Sequence, residues 1–160
     1  MTVEVCQADY ENPQHATYIV SLLDDYARDP MGGGEALPES VKNNLVESLR
    51  QIPHAFSVLA LVDGKPAGLI NCFQGFSTFK CKPLVNIHDV TVAAKFRGQG
   101  ISLKMLERVE EIARLRGCCK LTLEVLSNNP VAQSAYSRFG FSDYELAPDS
   151  GTALFWQKNL

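Results

Sequence analysis

Residues 90–103 run Val90-Thr91-Val92-Ala93-Ala94-Lys95-Phe96-Arg97-Gly98-Gln99-Gly100-Ile101-Ser102-Leu103. The stretch opens as a buried strand, passes through a short basic loop with two glycines two apart, and ends in the first turn of a helix. Glycines at that spacing let backbone approach a ligand closely. A helix beginning near Ile101 turns unpaired N–H groups and a partial positive charge toward whatever occupies the loop. Phosphate is the guest such a loop suits best, and Lys95 and Arg97 add long-range attraction. A tight strand-to-helix turn with no ligand is the plain alternative. Two other phosphate motifs do not fit. A dinucleotide fingerprint needs a third glycine where Leu103 stands, and the chain contains no Gly-Lys-Ser/Thr run of the Walker type.

The downstream sequence extends the pattern. Arg97, Gly100 and Ser102 (Arg-x-x-Gly-x-Ser) are followed by Asn129-x-x-Ala132-x-x-Ala135-Tyr136-x-x-x-Gly140-Phe141. This order of strand, glycine loop, helix, strand, asparagine, tyrosine helix and Gly-Phe resembles the GCN5-related N-acetyltransferase (GNAT) superfamily. The motifs cover residues 85–141; the rest agrees in element order. Ser102 stands where the family usually has Gly or Ala, and Ala135 where it usually has Leu. Neither change removes a donor from the loop.

Composition sets outer bounds. The chain has 160 residues, enough for one domain with a sizeable core, and is read as a single domain over 1–160. It is 46% apolar and 21% charged, with a formal net charge of −3. That balance argues against a nucleic-acid partner, which would call for a basic face. No apolar run approaches the roughly 20 residues of a membrane span, and the N-terminus does not read as a signal peptide. The cysteines Cys6, Cys72, Cys81, Cys118 and Cys119 are odd in number and form no Cys-x-x-Cys. They read as reduced thiols of a cytoplasmic protein. His15, His54 and His88 lie too far apart for a metal spacing, so no metal is expected.

In chain order, residues 2–7 alternate as a first strand. Pro13 opens a helix that sets His15, Tyr18, Ile19, Leu22, Leu23 and Tyr26 on one face, and His15 and Tyr18 read as core or rim packing. Asp29-Pro30-Met31-Gly32-Gly33-Gly34 ends it, and three consecutive glycines suggest a mobile surface connection. A second helix after Pro38 turns Val41, Leu45, Leu49 and Ile52 inward. Residues 55–62 and 66–77 form a hairpin about Asp63-Gly64, with Gly68 and Gly75 marking close approach or a bulge. Phe73 reads as core, while Phe76 and Phe79 follow the strand's irregular end.

Residues 83–92 are the central strand. The next helix runs to about Arg116 and buries Ser102, Met105, Leu106, Val109, Ile112 and Ala113. A strand over 118–127, a helix over 129–139 and a closing pair of strands over 140–147 and 152–158 complete the chain. The pattern is α+β in three layers: a mixed, mostly antiparallel sheet with helices on both faces.

The resemblance implies acetyl-CoA as donor, held in three places. Its pyrophosphate would sit on the amides of Gly98, Gln99, Gly100, Ile101, Ser102 and Leu103, with Arg97 beside it. Its pantetheine arm would pair with Val90, Thr91 and Val92 like an added strand, in a cleft where two strands splay apart. Asn129 would contact the arm, a role compatible with a plain helix N-cap. The resemblance also makes a pocket border of the 29–34 segment, with Met31 and Gly32, and Phe76 and Phe79 are candidate pocket walls.

The implied acceptor is an amine. A lysine-like amine with a pKa near 10.4 is about one part in 10³ neutral at pH 7, so its deprotonation costs roughly 4.6 kcal/mol. The site therefore needs a base, a water chain or an acceptor of low pKa, and an acid for the departing thiolate. Tyr136 matches the family tyrosine and is the candidate acid; half-buried amphipathic core is its alternative. Glu124, five residues before Asn129, stands where ribosomal-protein N-acetyltransferases carry a base, or is a solvent-facing strand glutamate. His88 and Asp89, read as facing opposite sides of the central strand, are further candidates for proton transfer; a hydrogen-bonded pair that merely fixes the strand is the alternative. Dimerisation is common in the superfamily. A non-catalytic acyl-CoA-binding sensor is the rival to the enzyme.

Overall fold

The structure is a computed structural model that describes residues 1–144 and 148–160. Residues Met1–Glu124 and Val125–Leu160 form two compact units.

In the first unit, β1 (Val3–Gln7), β2 (Phe56–Val62), β3 (Lys65–Ser77), β4 (Lys82–Val92) and β5 (Leu121–Leu123) make one open sheet in that order. The first four pair antiparallel, and β5 joins β4 in parallel. The fold is thus the mixed, mostly antiparallel sheet that the pattern predicts. Asp63 (φ 48°) and Gly64 (φ 76°) both take left-handed backbone between Val62 and Lys65. That is the type I′ geometry whose twist matches a two-residue hairpin.

Helices cover both faces. α1 (Pro13–Arg28) starts where the Asn12 side chain accepts from the amides of Gln14 and His15, with Pro13 in the first turn. It buries Ile19 and Leu22 against Leu59 and Leu69, with Val46 from α2 (Glu39–Gln51). The opposite face belongs to α3 (Ile101–Leu115), whose buried stripe is Ile101, Met105, Leu106, Val109, Ile112 and Ala113. Five of those six were expected; Ile101 is buried and Ser102 only half-buried. Gly68 earns its place here. A Cβ on it would lie 2.7 Å from Met105 Cε, so the glycine lets α3 settle onto β3.

Several boundaries differ from expectation. In α2 the buried residues are Val46 and Leu49, while Ile52 is 43% exposed. Ile52 follows the last helical residue in extended backbone, so the 3.6-residue period no longer applies to it. The strand expected over 118–127 is regular only at Leu121–Leu123. The connection after α1 is a hydrogen-bonded turn: Asp29 Oδ1 accepts from Met31 N at 2.9 Å, and the Asp29 carbonyl accepts from Gly32 N and Gly34 N. Gly32 is required by contact, because a Cβ there would fall 1.9 Å from the Tyr26 carbonyl oxygen.

The second unit holds α4 (Pro130–Phe139), capped by Asn129 Oδ1 on Ala132 N at 3.2 Å and ended by left-handed Gly140. Phe141 sets its ring edge-on to Tyr136 and stacks on Phe139. The expected strand over 152–158 is not formed: those residues are exposed and lie in no ladder. Alternation makes a strand only where a partner takes up its backbone groups. Of the expected strand over 140–147, residues 141–144 are irregular and 145–147 lie outside the described residues.

Candidate active site

The glycine loop and the edge of β4 come together at one end of the sheet. Gly98 (φ 76°) and Gly100 (φ 75°) are left-handed, and a Cβ on either would meet nothing within 4 Å. Conformation, not crowding, calls for glycine at these two positions. Gly100 is the N-cap of α3 and supplies no side-chain cap. The first amides of that helix thus have no side-chain cap and keep the partial positive charge of a helix start.

Just before the loop, the Ala93 amide donates to the Ala67 carbonyl at 2.8 Å, and Thr91 pairs with Leu69. Backbone polar groups alternate along a strand. Val90 and Val92 therefore turn their N–H and C=O groups away from β3, toward β5. There they meet no strand among the described residues, because the β4–β5 ladder ends at Ile87 and Leu123. The two strands pair over three residues and the ladder stops there, so Val90 and Val92 have no strand partner on that side among the described residues. Arg97 braces this corner. Its Nε donates to the Val92 carbonyl at 3.1 Å, and its guanidinium lies 3.4 Å from Asp29 Oδ2. The Asp29 carboxyl is held below its usual pKa, chiefly by the Met31 amide and further by Arg97.

A cavity of about 320 Å³ opens on the α1–α2 face of the sheet. Its polar lining is Tyr26, Asn71, His88 and Asp89. His88 and Asp89 were expected on opposite faces. They line one cavity because the β3–β4 register shifts: Asn71 pairs with Asp89 and Cys72 with Ile87, leaving His88 as the extra residue of a bulge. The His88 ring packs edge-on to Phe73 at 5.5 Å. Nor are the two a mutually bonded pair, for Asp89 Oδ2 accepts from Asn71 Nδ2 at 3.0 Å. Asn71 Oδ1 in turn accepts from Ser57 Oγ at 2.6 Å, and Ser57 Oγ lies 2.8 Å from Tyr10 OH. Burial raises the Tyr26 phenol, and the charges of Asp89 and Asp29 raise it further.

The other candidates are distributed as follows. Gly32 lines the cavity, whereas Met31 beside it is exposed and does not. Phe76 (58% exposed) and Phe79 (94%) stand at the β3–β4 tip, outside the lining. Glu124 is exposed, one residue past the end of β5. Asn129 and Tyr136 belong to the second unit, the first as cap of α4 and the second half-buried on that helix. Sequence reasoning gave Phe73 to the core and assigned Tyr26 only to an inward helix face, yet both line the cavity; Asn71 went unremarked. A lone asparagine in an apolar strand was the available signal, since a buried amide demands partners.

Residues 10–141 match the family model described as Acetyltransferase (GNAT) family. Thialysine N-epsilon-acetyltransferase of Bos taurus is 37% identical over 71 residues, which are 44% of this chain and 41% of that protein. The matched stretch spans less than half the length of each of the first curated relatives. Among solved structures, a probable acetyltransferase superposes with a TM-score of 0.78 at 22% identity, covering 96% of this chain and 99% of that one. Aminoglycoside N-acetyltransferase AAC(6')-Iy in complex with CoA gives 0.75 at 20% identity, covering 99% and 96%.

Proposed function

The chain belongs to the acetyltransferase (GNAT) family, and from that membership we propose that it transfers an acetyl group from acetyl-CoA to a primary amine by direct attack in a ternary complex. The observation that carries the proposal is the free edge of β4 at Val90 and Val92 beside the left-handed loop that opens α3. An edge whose Val90 and Val92 groups have no ladder partner among the described residues, the Val92 carbonyl being held only by Arg97, suits the amide-rich pantetheine arm, and an uncapped helix N-terminus suits pyrophosphate. The residues present therefore fit acetyl-CoA, which supplies the thioester carbonyl for attack.

In this reading the amides of Gly98 to Leu103 bind the pyrophosphate, and Val90, Thr91 and Val92 orient the arm. Arg97, paired with Asp29 in this structure, adds charge at the loop. The amine enters the cavity on the α1–α2 face, next to His88 and Asp89. One of His88, Asp89 and Glu124 takes the amine proton, and Tyr136 returns one to the thiolate. Residues 1–160 act together as one cytoplasmic acetyltransferase domain.

The test is thiol release from acetyl-CoA against amino acids, polyamines, aminoglycosides, arylalkylamines and lysine- or N-terminal peptides. Release with one class establishes transfer and selects the acceptor class. Acetyl-CoA binding with no release across that panel favours the sensor. Once an acceptor is found, Tyr136→Phe is expected to lower kcat by about 10²-fold or more, the scale of general acid catalysis, with acetyl-CoA affinity nearly unchanged. Equal losses in both would reduce Tyr136 to packing.

A further inference from the structure

The hydrogen bonds beneath the cavity have a forced direction. A carboxylate only accepts, so the Asn71 group at 3.0 Å from Asp89 Oδ2 is its NH₂ end. That turns Asn71 Oδ1 toward Ser57, whose hydroxyl donates to it at 2.6 Å. With its one proton committed, Ser57 Oγ accepts from Tyr10 OH at 2.8 Å. Three donors in series thus end on Asp89. Ser57 is 0% and Asn71 3% exposed, so water does not compete for their bonds. An amide does not pass protons as a hydroxyl does. The series therefore holds a carboxylate in place and does not drain protons from it.

The cavity above this series is lopsided in charge. Leu23, Ala27, Leu37, Leu45, Leu49 and Phe73 make its apolar wall. Asp89 is the one carboxylate among its described lining residues, which include no lysine or arginine. Its volume of about 320 Å³ lies at the small end of the range for ligand sites, roughly 300–1,000 Å³.

We propose that this cavity takes a small primary ammonium ion with an alkyl or aryl body, that Asp89 is its counter-ion, and that Asn71, Ser57 and Tyr10 are positioning residues for that carboxylate. The inference rests on the acetyl-transfer reading for the role of the cavity, and it narrows the acceptor class. A polyhydroxylated amine would leave its hydroxyls unpaired against the leucines. Because a counter-ion stabilises the charged amine, Asp89 serves capture, and proton removal falls to His88 or Glu124.

Calorimetric titration of the full chain tests this with phenethylamine, its neutral counterpart 2-phenylethanol, and glucosamine. Phenethylamine is expected to bind at least about tenfold more tightly than the alcohol, the scale of a charge-assisted hydrogen bond, and more tightly than glucosamine. Asp89→Asn should remove the preference for the amine while leaving alcohol binding unchanged. Ser57→Ala should narrow it severalfold, because Asn71 Oδ1 then loses the donor that fixes the amide against Asp89, and Ser57→Thr should restore it. Tyr10→Phe, which deletes only the outermost donor, repeats the test should the serine variants unfold.

Equal binding of amine and alcohol, equal losses of both in Asp89→Asn, or a preference for glucosamine would overturn the proposal. The two readings fail separately. Amine-selective binding without thiol release from acetyl-CoA refutes acetyl transfer and leaves this site standing. Thiol release driven by an amine that phenethylamine does not displace refutes this site and leaves acetyl transfer standing. For an amine that is turned over, Asp89→Asn should raise KM more than it lowers kcat; the reverse would make Asp89 the base.

Discussion

Gly98, Gly100 and Gly32 are glycine for different reasons, and only the first two were readable in advance. At Gly98 and Gly100 the backbone is left-handed with open space around it, and a glycine pair before a helix announces that geometry in sequence. Gly32 has ordinary backbone but rests on the Tyr26 carbonyl, a contact that exists only after α1 and its following turn have folded. Gly100→Val should therefore fold with a loss of about 1–2 kcal/mol, the strain of a left-handed non-glycine residue, yet lose CoA binding because its side chain fills the loop. Unchanged CoA affinity in a folded variant would refute the phosphate assignment. His88 shows the limit of period-two reasoning. One extra residue in β4 brings it to the same cavity as Asp89, and nothing in the local sequence marks the bulge.

Among the elements, the long periodic segments were legible and the short ones were not. α3 followed its apolar stripe because fifteen residues give the period several turns in which to assert itself. β5 was expected to span 118–127 from its apolar run, but only Leu121–Leu123 is regular, since ladder partners and not composition set a strand's length. The α1–α2 pair offers a test at this scale. Asp24 Oδ1 accepts from the Leu37 amide at 2.8 Å, and Oδ2 lies 2.9 Å from Arg28 and 3.5 Å from Lys42. The Leu37 amide is the main reason that its carboxyl titrates below the usual range, and both cations help. A depressed folded-state pKa contributes stability that is complete above the ordinary carboxylate value of about 4 and fades as pH falls toward the lower folded value. The melting temperature of the wild type should exceed that of Asp24→Asn at pH 7, and the gap should shrink as the pH is lowered from 5 to 3. A pH-independent gap would mean that Asp24 acts through packing alone.

At the scale of the molecule, the sheet with helices on both faces was legible because hydrophobic period and turn chemistry agree along most of the chain. The geometry of the loop and strand edge proposed for the donor was equally legible, since it is built from backbone whose shape glycines and a helix start prescribe. The cavity proposed for the acceptor was not. Its lining comes from α1, the turn that follows, α2, β3 and β4, and no single stretch of sequence contains it.

The short β4–β5 ladder also gives the chain a signature in solvent. Along the last turnless residues of β4, the amide of Thr91 faces β3 while those of Val90 and Val92 face the gap. In deuterium oxide, Thr91 should retain its proton long after both neighbours have exchanged, an every-other-residue rhythm that local fraying would blur. Adding CoA should slow Val90 and Val92 and leave Thr91 as it was, so that the isotope pattern of three consecutive amides reports an added strand. Uniform exchange across the three, with or without CoA, would mean that the edge is not held open for one.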